Sequence, residues 1–348
     1  MRRGAAGLAL AAALACARPE PASDSAETRA ECPAFVSDGQ YAMGTVLEAS
    51  ICAPDRASGE ALLRELFAGV AELEHSFSTF DPASEISGLN RAAGRGPQPV
   101  SPALARLTAD SLGLSALTGG SFDPTVGPLV SLWQAAGKAG RRPSAVELAA
   151  TRARVGASGV RADPAAGTVE LRAAGAALDF GGIAKGWALD RACERLRAAG
   201  VTRAFLSFGE SSLAAIGASP GSDGWGVALT DASGHFAGTV EIRDRSLSVS
   251  GSLGQYVEID GRRYGHVIDP RSGEALESAR VAVVLAADGA SAEALSKALL
   301  VLGETEGIAI VERLGAQGLL LDESGATFET SGWRTATGYS PDWPEDAR

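Results

Sequence analysis

The sequence predicts an α+β fold, a mixed sheet core flanked by helices, and three observations carry that expectation. Residues 57–75 place Leu62, Leu63, Leu66, Phe67, Val70 and Leu73 on one face at helical spacing. Between residues 201 and 260, short apolar runs follow one another, each closed by Gly, Asp or Ser, as strands joined by turns do. The helix and strand signals do not alternate as βαβ units would, which argues against a doubly wound parallel sheet.

With 348 residues, 45% of them hydrophobic, the chain has enough apolar material for one large domain or two modest ones with a full core. Its net charge of −11 argues against nucleic acid as a partner. No internal repeat is visible.

Residues 1–16 combine a basic start (Arg2, Arg3), a short Ala/Leu run and a small-residue end. They read as a secretory leader, because a membrane span needs about 20 apolar residues. The leader stops at Cys16 behind Ala13-Leu14-Ala15, which resembles a bacterial lipobox with Leu one place later than usual. The expectation is a lipid on Cys16, anchoring a periplasm-facing lipoprotein of the bacterial cell envelope. Residues 17–35 read as a disordered tether and 36–340 as the folded domain. Of the remaining cysteines, Cys32 and Cys52 could form a disulfide in an oxidising compartment, and Cys193 reads as a small buried residue. No C-x-x-C or other metal-type spacing occurs.

Along the chain, Tyr41-Ala42-Met43-Gly44-Thr45 leads into a strand ending at Cys52. After the helix of 57–75, residues 77–94 are rich in Ser, Asp, Asn and Gly and read as a ligand-contacting loop with one helical turn. Ser101-Pro102 is an N-cap with proline at the first helical position, and that helix stops at Gly119-Gly120. Residues 121–133 read as a second loop around Asp123, 144–153 as a helix, and Pro164–Gly167 as a hairpin turn. A strand at 201–208 ends in Gly209-Glu210-Ser211-Ser212, and five short strands follow to Asp260. A buried strand at 279–286, a helix at 291–302 closed by Gly303, a second helix at 305–314 and a strand at 317–322 complete the series.

The stretch LDFGGIAKGWALD (178–190) concentrates the chemistry. An apolar β-type run (Ala176, Ala177, Leu178) ends in Asp179, Gly181-Gly182 follow, and a helix opens near Ala184 with Lys185 in its first turn. Glycines remove side-chain obstruction, and a helix N-terminus offers unpaired N–H groups and positive potential to a phosphate. The same pattern also fits a tight turn packing a helix on a sheet, and it is neither a P-loop nor G-x-G-x-x-G. Of the three histidines, His75 ends an amphipathic helix and His235 sits in a Gly/Ser turn. His266, beside Asp269-Pro270-Arg271, could serve as a base near neutral pH or could simply bond its own turn. No G-x-S-x-G or Cys–His pairing supports hydrolytic nucleophilic catalysis.

Taken in order, Met43-Gly44-Thr45, FSTFDPASEISGLN, SFDPTVGPLVSLW, LDFGGIAKGWALD, GHVIDPRSG and the helix at 291–303 resemble the motifs of the ApbE family of bacterial FAD:protein FMN transferases. The resemblance spans residues 36–335 and implies a T-fold-related, ApbE-like fold. It implies transfer of FMN from FAD to a Thr or Ser hydroxyl of an acceptor flavoprotein, with release of AMP. By motif match, Met43, Phe80, Ser121, Phe122, Asp123, Asp179, Lys185 and Ile268 would contact FAD, and His266 would be the base. Asp190 matches the acid closing that motif, either as a structural cap or ion-pair partner or as a ligand contact. FAD without transfer, or FAD hydrolysis to FMN and AMP, are the alternative readings.

The resemblance also implies Mg2+, at the backbone of Gly182 and at a helix that reads D-A-L-x-T in the family. Here the helix reads Glu293-Ala294-Leu295-Ser296-Lys297. Glutamate remains a hard oxygen ligand one methylene longer, whereas a charged lysine cannot ligate a metal. Glu293 and Lys297 are an i, i+4 pair that could simply bind each other, or the Lys297 ammonium could stand in the metal's place. Two further motifs drift: a Gly-Gly-acid turn appears as Phe208-Gly209-Glu210, and S-G-D-Y as Ser250-Gly251-Ser252-Leu253. Asp322-Glu323-Ser324-Gly325-Ala326-Thr327 resembles part of a flavin-acceptor motif but reads as a hairpin turn.

Overall fold

A computed structural model describes residues 32–341, and the expected leader and Cys16 lie outside the described residues. Eight strands form the central sheet: β1 (Ala34–Ala42), β2 (Thr45–Ala53), β3 (Ala204–Phe208), β4 (Ser212–Ile216), β5 (Ser246–Gly251), β6 (Val281–Ala286), β7 (Gln317–Leu321) and β8 (Thr327–Glu329). Their order across the sheet is their order along the chain, and every neighbouring pair is antiparallel.

The flanking helices are α1 (Arg56–Phe77), α2 (Glu85–Arg91), α3 (Pro102–Leu117), α4 (Gly127–Ala139), α5 (Ala145–Arg152), α6 (Ala184–Ala198), α7 (Gly289–Arg313) and α8 (Trp333–Thr337). Caps fix several starts: the Asp55 carboxylate accepts the Ser58 N–H at 2.8 Å, and Ser101 Oγ accepts the Leu104 N–H at 3.2 Å ahead of Pro102. Gly303 leaves helical geometry (φ 75°, ψ −162°) and breaks α7 where the sequence placed the boundary between two helices.

The helices cover one face of the sheet. Leu47, Ile51, Leu206 and Phe208 pack against Leu63, Phe67 and Val70 of α1 and Ala188 and Leu189 of α6. Ala282, Val284 and Leu320 pack against Leu295 and Leu299 of α7. The hairpin of Trp225–Thr230 and Phe236–Ile242 covers the other face, meeting Val283, Leu285 and Leu319. Strand β6 is thus buried on both faces, which is why its sequence is an uninterrupted apolar run rather than an alternating one. A disulfide joins Cys32 to Cys52, pinning the start of the described chain to β2, and Cys193 is free and buried.

Three expectations need correction. Residues 176–180 are not a strand, because the Asn90 side chain stands where a partner strand would be. Its amide donates to the Leu178 carbonyl at 2.9 Å and accepts the Leu178 N–H at 2.8 Å. The expected loop at 121–133 gives way to α4 at Gly127, with Pro128 in the first turn, where its missing N–H costs nothing. The single helical turn expected within 77–94 is the seven-residue helix α2, capped by Ser84.

Candidate active site

The site begins at the entry to α6. With Leu178 clamped by Asn90, the Asp179 N–H donates to the Pro124 carbonyl at 2.8 Å, and the Asp179 carboxylate accepts the Gly181 N–H at 2.8 Å. That turn presents Gly181 and Gly182 ahead of Lys185. Burial raises the Asp179 carboxyl above the usual range, and the Gly181 hydrogen bond opposes the rise. Lys185 Nζ donates to Ser211 Oγ in the β3–β4 turn.

That turn lies beside the β1–β2 turn, since the Gly209 N–H donates to the Val46 carbonyl at 2.8 Å. Met43 and Gly44 both have positive φ (46° and 81°), as a two-residue antiparallel hairpin requires, and Gly209 and Glu210 repeat the pattern (57° and 60°). Glu210 is pushed up by burial and by the neighbouring Glu48 charge.

Helix α7 supplies the opposite wall. Asp190 of α6 accepts the Gly289 and Ala290 N–H groups at 2.6 and 3.0 Å, so it caps the neighbouring helix rather than facing a ligand. Burial pushes its carboxyl up to about 7 against those two hydrogen bonds. One turn on, Glu293 is 1% exposed. Its Oε1 accepts from Ser212 Oγ, while Oε2 has no hydrogen-bond donor and faces Lys297 Nζ at 3.6 Å. Lys297 runs past Gly182: a Cβ added there would lie 3.8 Å from its Cγ and Cε and 3.7 Å from the Phe122 ring. Burial lowers the Lys297 ammonium from its ordinary value, and the Glu293 carboxylate works against that. Behind it, Ser296 Oγ bonds Ser248 and Ser250 at 3.0 and 2.8 Å and the Glu293 carbonyl at 2.9 Å.

His266 follows the strand Arg262–Gly265. Its N–H donates to the Gln255 carbonyl at 2.9 Å, and ring Nδ1 lies 3.1 Å from the same oxygen. The Gln255 N–H also reaches Nδ1, at 3.3 Å, so Nδ1 donates to that carbonyl or accepts from that N–H according to the tautomer, and with the proton on Nδ1 the lone pair is on Nε2. Burial is the main cause of a lowered imidazole pKa, the Gln255 backbone contact opposes it, and the charges of Lys297 and Lys185 lower it further. The histidine is therefore neutral near pH 7 and sits in the field of both lysines.

Phe122 and Lys297 thus flank Gly182, Lys185 and Glu293 bond the adjacent Ser211 and Ser212, and His266 lies in the field of both lysines, so these residues border one candidate site, with Asp179 at its glycine turn. The other residues of the motifs have the following surroundings. Asp123 is buried, and its oxygens accept from Thr125 N–H (2.8 Å), Thr125 Oγ1 (2.5 Å), Ser115 Oγ (3.2 Å) and the Ala157 N–H (3.1 Å). Ser121 Oγ donates to the Thr118 carbonyl at 2.8 Å, and Ile268 is buried in a cluster with Leu129 and Trp133. Phe80 stands 89% exposed between α1 and α2. Ser211 and Ser212 were not singled out from the sequence; their only signal was the polar end of the strand at 201–208.

The residues nominated for a divalent cation do not form a site for one. Lys297 brings an ammonium with no lone pair, Glu293 Oε1 is taken by Ser212, and Oε2 faces that ammonium. Among the described residues no group of three His, Cys, Asp or Glu side chains is placed to hold a metal ion.

An antiparallel sheet covered by helices, with Lys185 and Lys297 beside a glycine turn at the entry to α6, defines the class of fold and site. A sequence description of the ApbE family matches residues 43–320, and the chain belongs to that family. A FAD:protein FMN transferase of Klebsiella pneumoniae (strain 342) is 31% identical over 317 residues, 88% of this chain and 90% of that protein. The apo flavinyl transferase ApbE of Pseudomonas stutzeri superposes with a TM-score of 0.76 at 29% identity, covering 87% of this chain and 96% of that one. The ApbE protein of Thermotoga maritima gives a TM-score of 0.78 at 25% identity, over 87% and 99% of the two chains.

Proposed function

We propose that this chain transfers FMN from FAD to a Thr or Ser hydroxyl of an acceptor flavoprotein, releasing AMP. What supports the reading is membership of the ApbE family together with a glycine turn, Gly181-Gly182, that Lys185 follows and Lys297 runs along, both lysines acting on the His266 ring.

The acceptor hydroxyl oxygen forms a bond to the phosphorus of the FMN half of FAD. The bond from that phosphorus to the bridging oxygen breaks, and AMP leaves with the bridging oxygen and its electron pair. The hydroxyl proton passes to His266 Nε2. Positive charge at Lys185 and the α6 N-terminus offsets the charge gathering on the pyrophosphate. Asp179 and Phe122 bound the same turn, Met43 adjoins it, and Phe80 offers an exposed ring to the flavin or adenine. No step is assigned to Mg2+, because the donor set does not fit it.

Incubating the protein with FAD and an acceptor domain bearing a threonine tests the reading, with covalent flavin fluorescence followed on a denaturing gel. A fluorescent acceptor band is expected. AMP and free FMN without an acceptor band would show hydrolysis instead.

The same proposal places the protein in the bacterial cell envelope, anchored through lipid on Cys16 and facing the periplasm. The leader sequence supports this, and the Cys32–Cys52 disulfide fits an oxidising compartment. No helix among the described residues is long and apolar enough to cross a membrane. Cys16→Ala is expected to move the protein from the membrane to the soluble fraction, and an unchanged distribution would overturn the anchor.

A further inference from the structure

We infer that the Lys297 ammonium is the built-in counter-charge for the ligand's pyrophosphate, so that this cleft binds its dinucleotide without a divalent cation. The inference rests on the functional reading above for the identity of the ligand, though not for the cation itself.

Three independent features point to it. The first is position: Lys297 lies along Gly182, where an added Cβ would sit 3.8 Å from its Cγ and Cε, so its stem packs against the glycine turn. The second is support. Glu293 is nearly inaccessible, held by Ser212 through one oxygen, and turns its other oxygen, which no donor satisfies, towards Lys297 Nζ at 3.6 Å. A buried carboxylate without a donor favours a cation beside it, and Lys297 is that cation. At 3.6 Å the contact is a loose ion pair, which leaves ammonium protons for a third oxygen.

The third feature is the absence of competing donors. A divalent ion in a phosphate site takes several carboxylate, carbonyl or water oxygens, and it would be repelled by an ammonium set against the one available carboxylate. The hydroxyls of Ser248 and Ser250 each bond that of Ser296. With Lys185 on the opposite wall bonded to Ser211, the cleft holds two lysines of opposite provenance, one on each helix. A lysine is a point charge without demanding coordination geometry, which suits a pyrophosphate.

Calorimetric titration tests this with FAD and, separately, with inorganic pyrophosphate, each in EDTA and in Mg2+. The full chain is expected to bind FAD with affinities within about twofold of each other in the two conditions. Lys297→Met is expected to weaken binding in EDTA by about tenfold or more, through loss of a charge-assisted contact. Because that variant leaves Glu293 buried and alone, the pair variant Glu293→Gln with Lys297→Met is measured alongside and is expected to show the same loss. Lys297→Arg keeps the charge and is expected to keep most of the affinity in EDTA. An FAD affinity that rises about tenfold or more with Mg2+ in the unsubstituted protein would overturn the inference without any variant. So would unchanged binding by a folded charge-removing variant. If pyrophosphate binds in EDTA in a Lys297-dependent way while FAD does not bind, the flavin reading falls and this one stands; if neither ligand binds, both fall.

Discussion

Gly186 and Gly289 touch backbone to backbone where α6 and α7 cross, and a Cβ on Gly186 would overlap the Gly289 carbonyl. This contact sets Lys185, one residue away on α6, opposite Glu293 and Lys297, one and two turns along α7. Gly186→Ala would ordinarily strengthen a helix interior by about 1 kcal/mol. Here it is expected to destabilise the protein by about 1–3 kcal/mol, because the two backbones must separate. A lower urea midpoint with an unchanged slope, together with weaker FAD binding, is the expected result. A midpoint equal to or above that of the parent would remove the crossing as the organising contact.

Asn90 does the work of a missing strand for Leu178. Asn90→Ala leaves a buried N–H and carbonyl without partners and is expected to cost about 1–3 kcal/mol. Amide hydrogen exchange offers the specific readout: the Leu178 amide is protected in the parent and is expected to exchange fast in the variant, while β6 amides keep their protection.

The pH dependence follows from His266. Its imidazole is held below the usual value near 6.5, chiefly by burial, so the neutral form that accepts the proton persists to lower pH than in a solvent-exposed histidine. Transfer is expected to be flat around neutrality and to fall only below pH about 6.5 as the ring takes up a proton. Lys297→Met removes a positive charge that lowers this pKa, so the acid limb should move to higher pH. NMR titration of the His266 ring proton, one of only three histidines, reads the same shift directly. A limb that moves to lower pH, or not at all, would break the proposed link between the two residues.

The disulfide closes a separation of 20 residues. Reducing it is expected to cost about 3 kcal/mol by freeing the unfolded chain, with a matching fall in Tm. The Cys193 thiol is pushed up to about 12 by burial. Native, unreduced protein should therefore show no rapid iodoacetamide labelling at Cys32, Cys52 or Cys193; denaturant alone should expose Cys193 in proportion to unfolding, and Cys32 and Cys52 should label only after reduction.

Features written in local chemistry were legible in the sequence. The amphipathic face of α1, the Ser101-Pro102 start of α3, the break at Gly303 and the hairpin near Pro164 are each set by residues within a turn of one another. The six family motifs likewise brought Gly182, Lys185, Glu293, Lys297 and His266 onto one short inventory. What stayed hidden depends on residues far apart in the chain. Ala176–Leu178 looks like a strand, and only the side chain of Asn90, 88 residues earlier, denies it a strand partner. The hydrogen bonds that Asp123 takes from Ser115, Thr125 and Ala157 likewise have no signal in its own motif. Ser211 and Ser212 gain meaning only because the meander brings the β3–β4 turn against α6 and α7. The sequential strand order itself has no local signature, since antiparallel neighbours could be joined in other orders by loops of these lengths.

The most direct measurement is a single turnover of the purified protein with FAD and a threonine-bearing acceptor domain, quantifying AMP and covalently bound flavin in the same samples. One AMP per flavinylated acceptor is expected, with both products lost together in His266→Ala while FAD still binds. AMP formed without acceptor labelling, or full labelling by His266→Ala, would contradict transfer by this cleft.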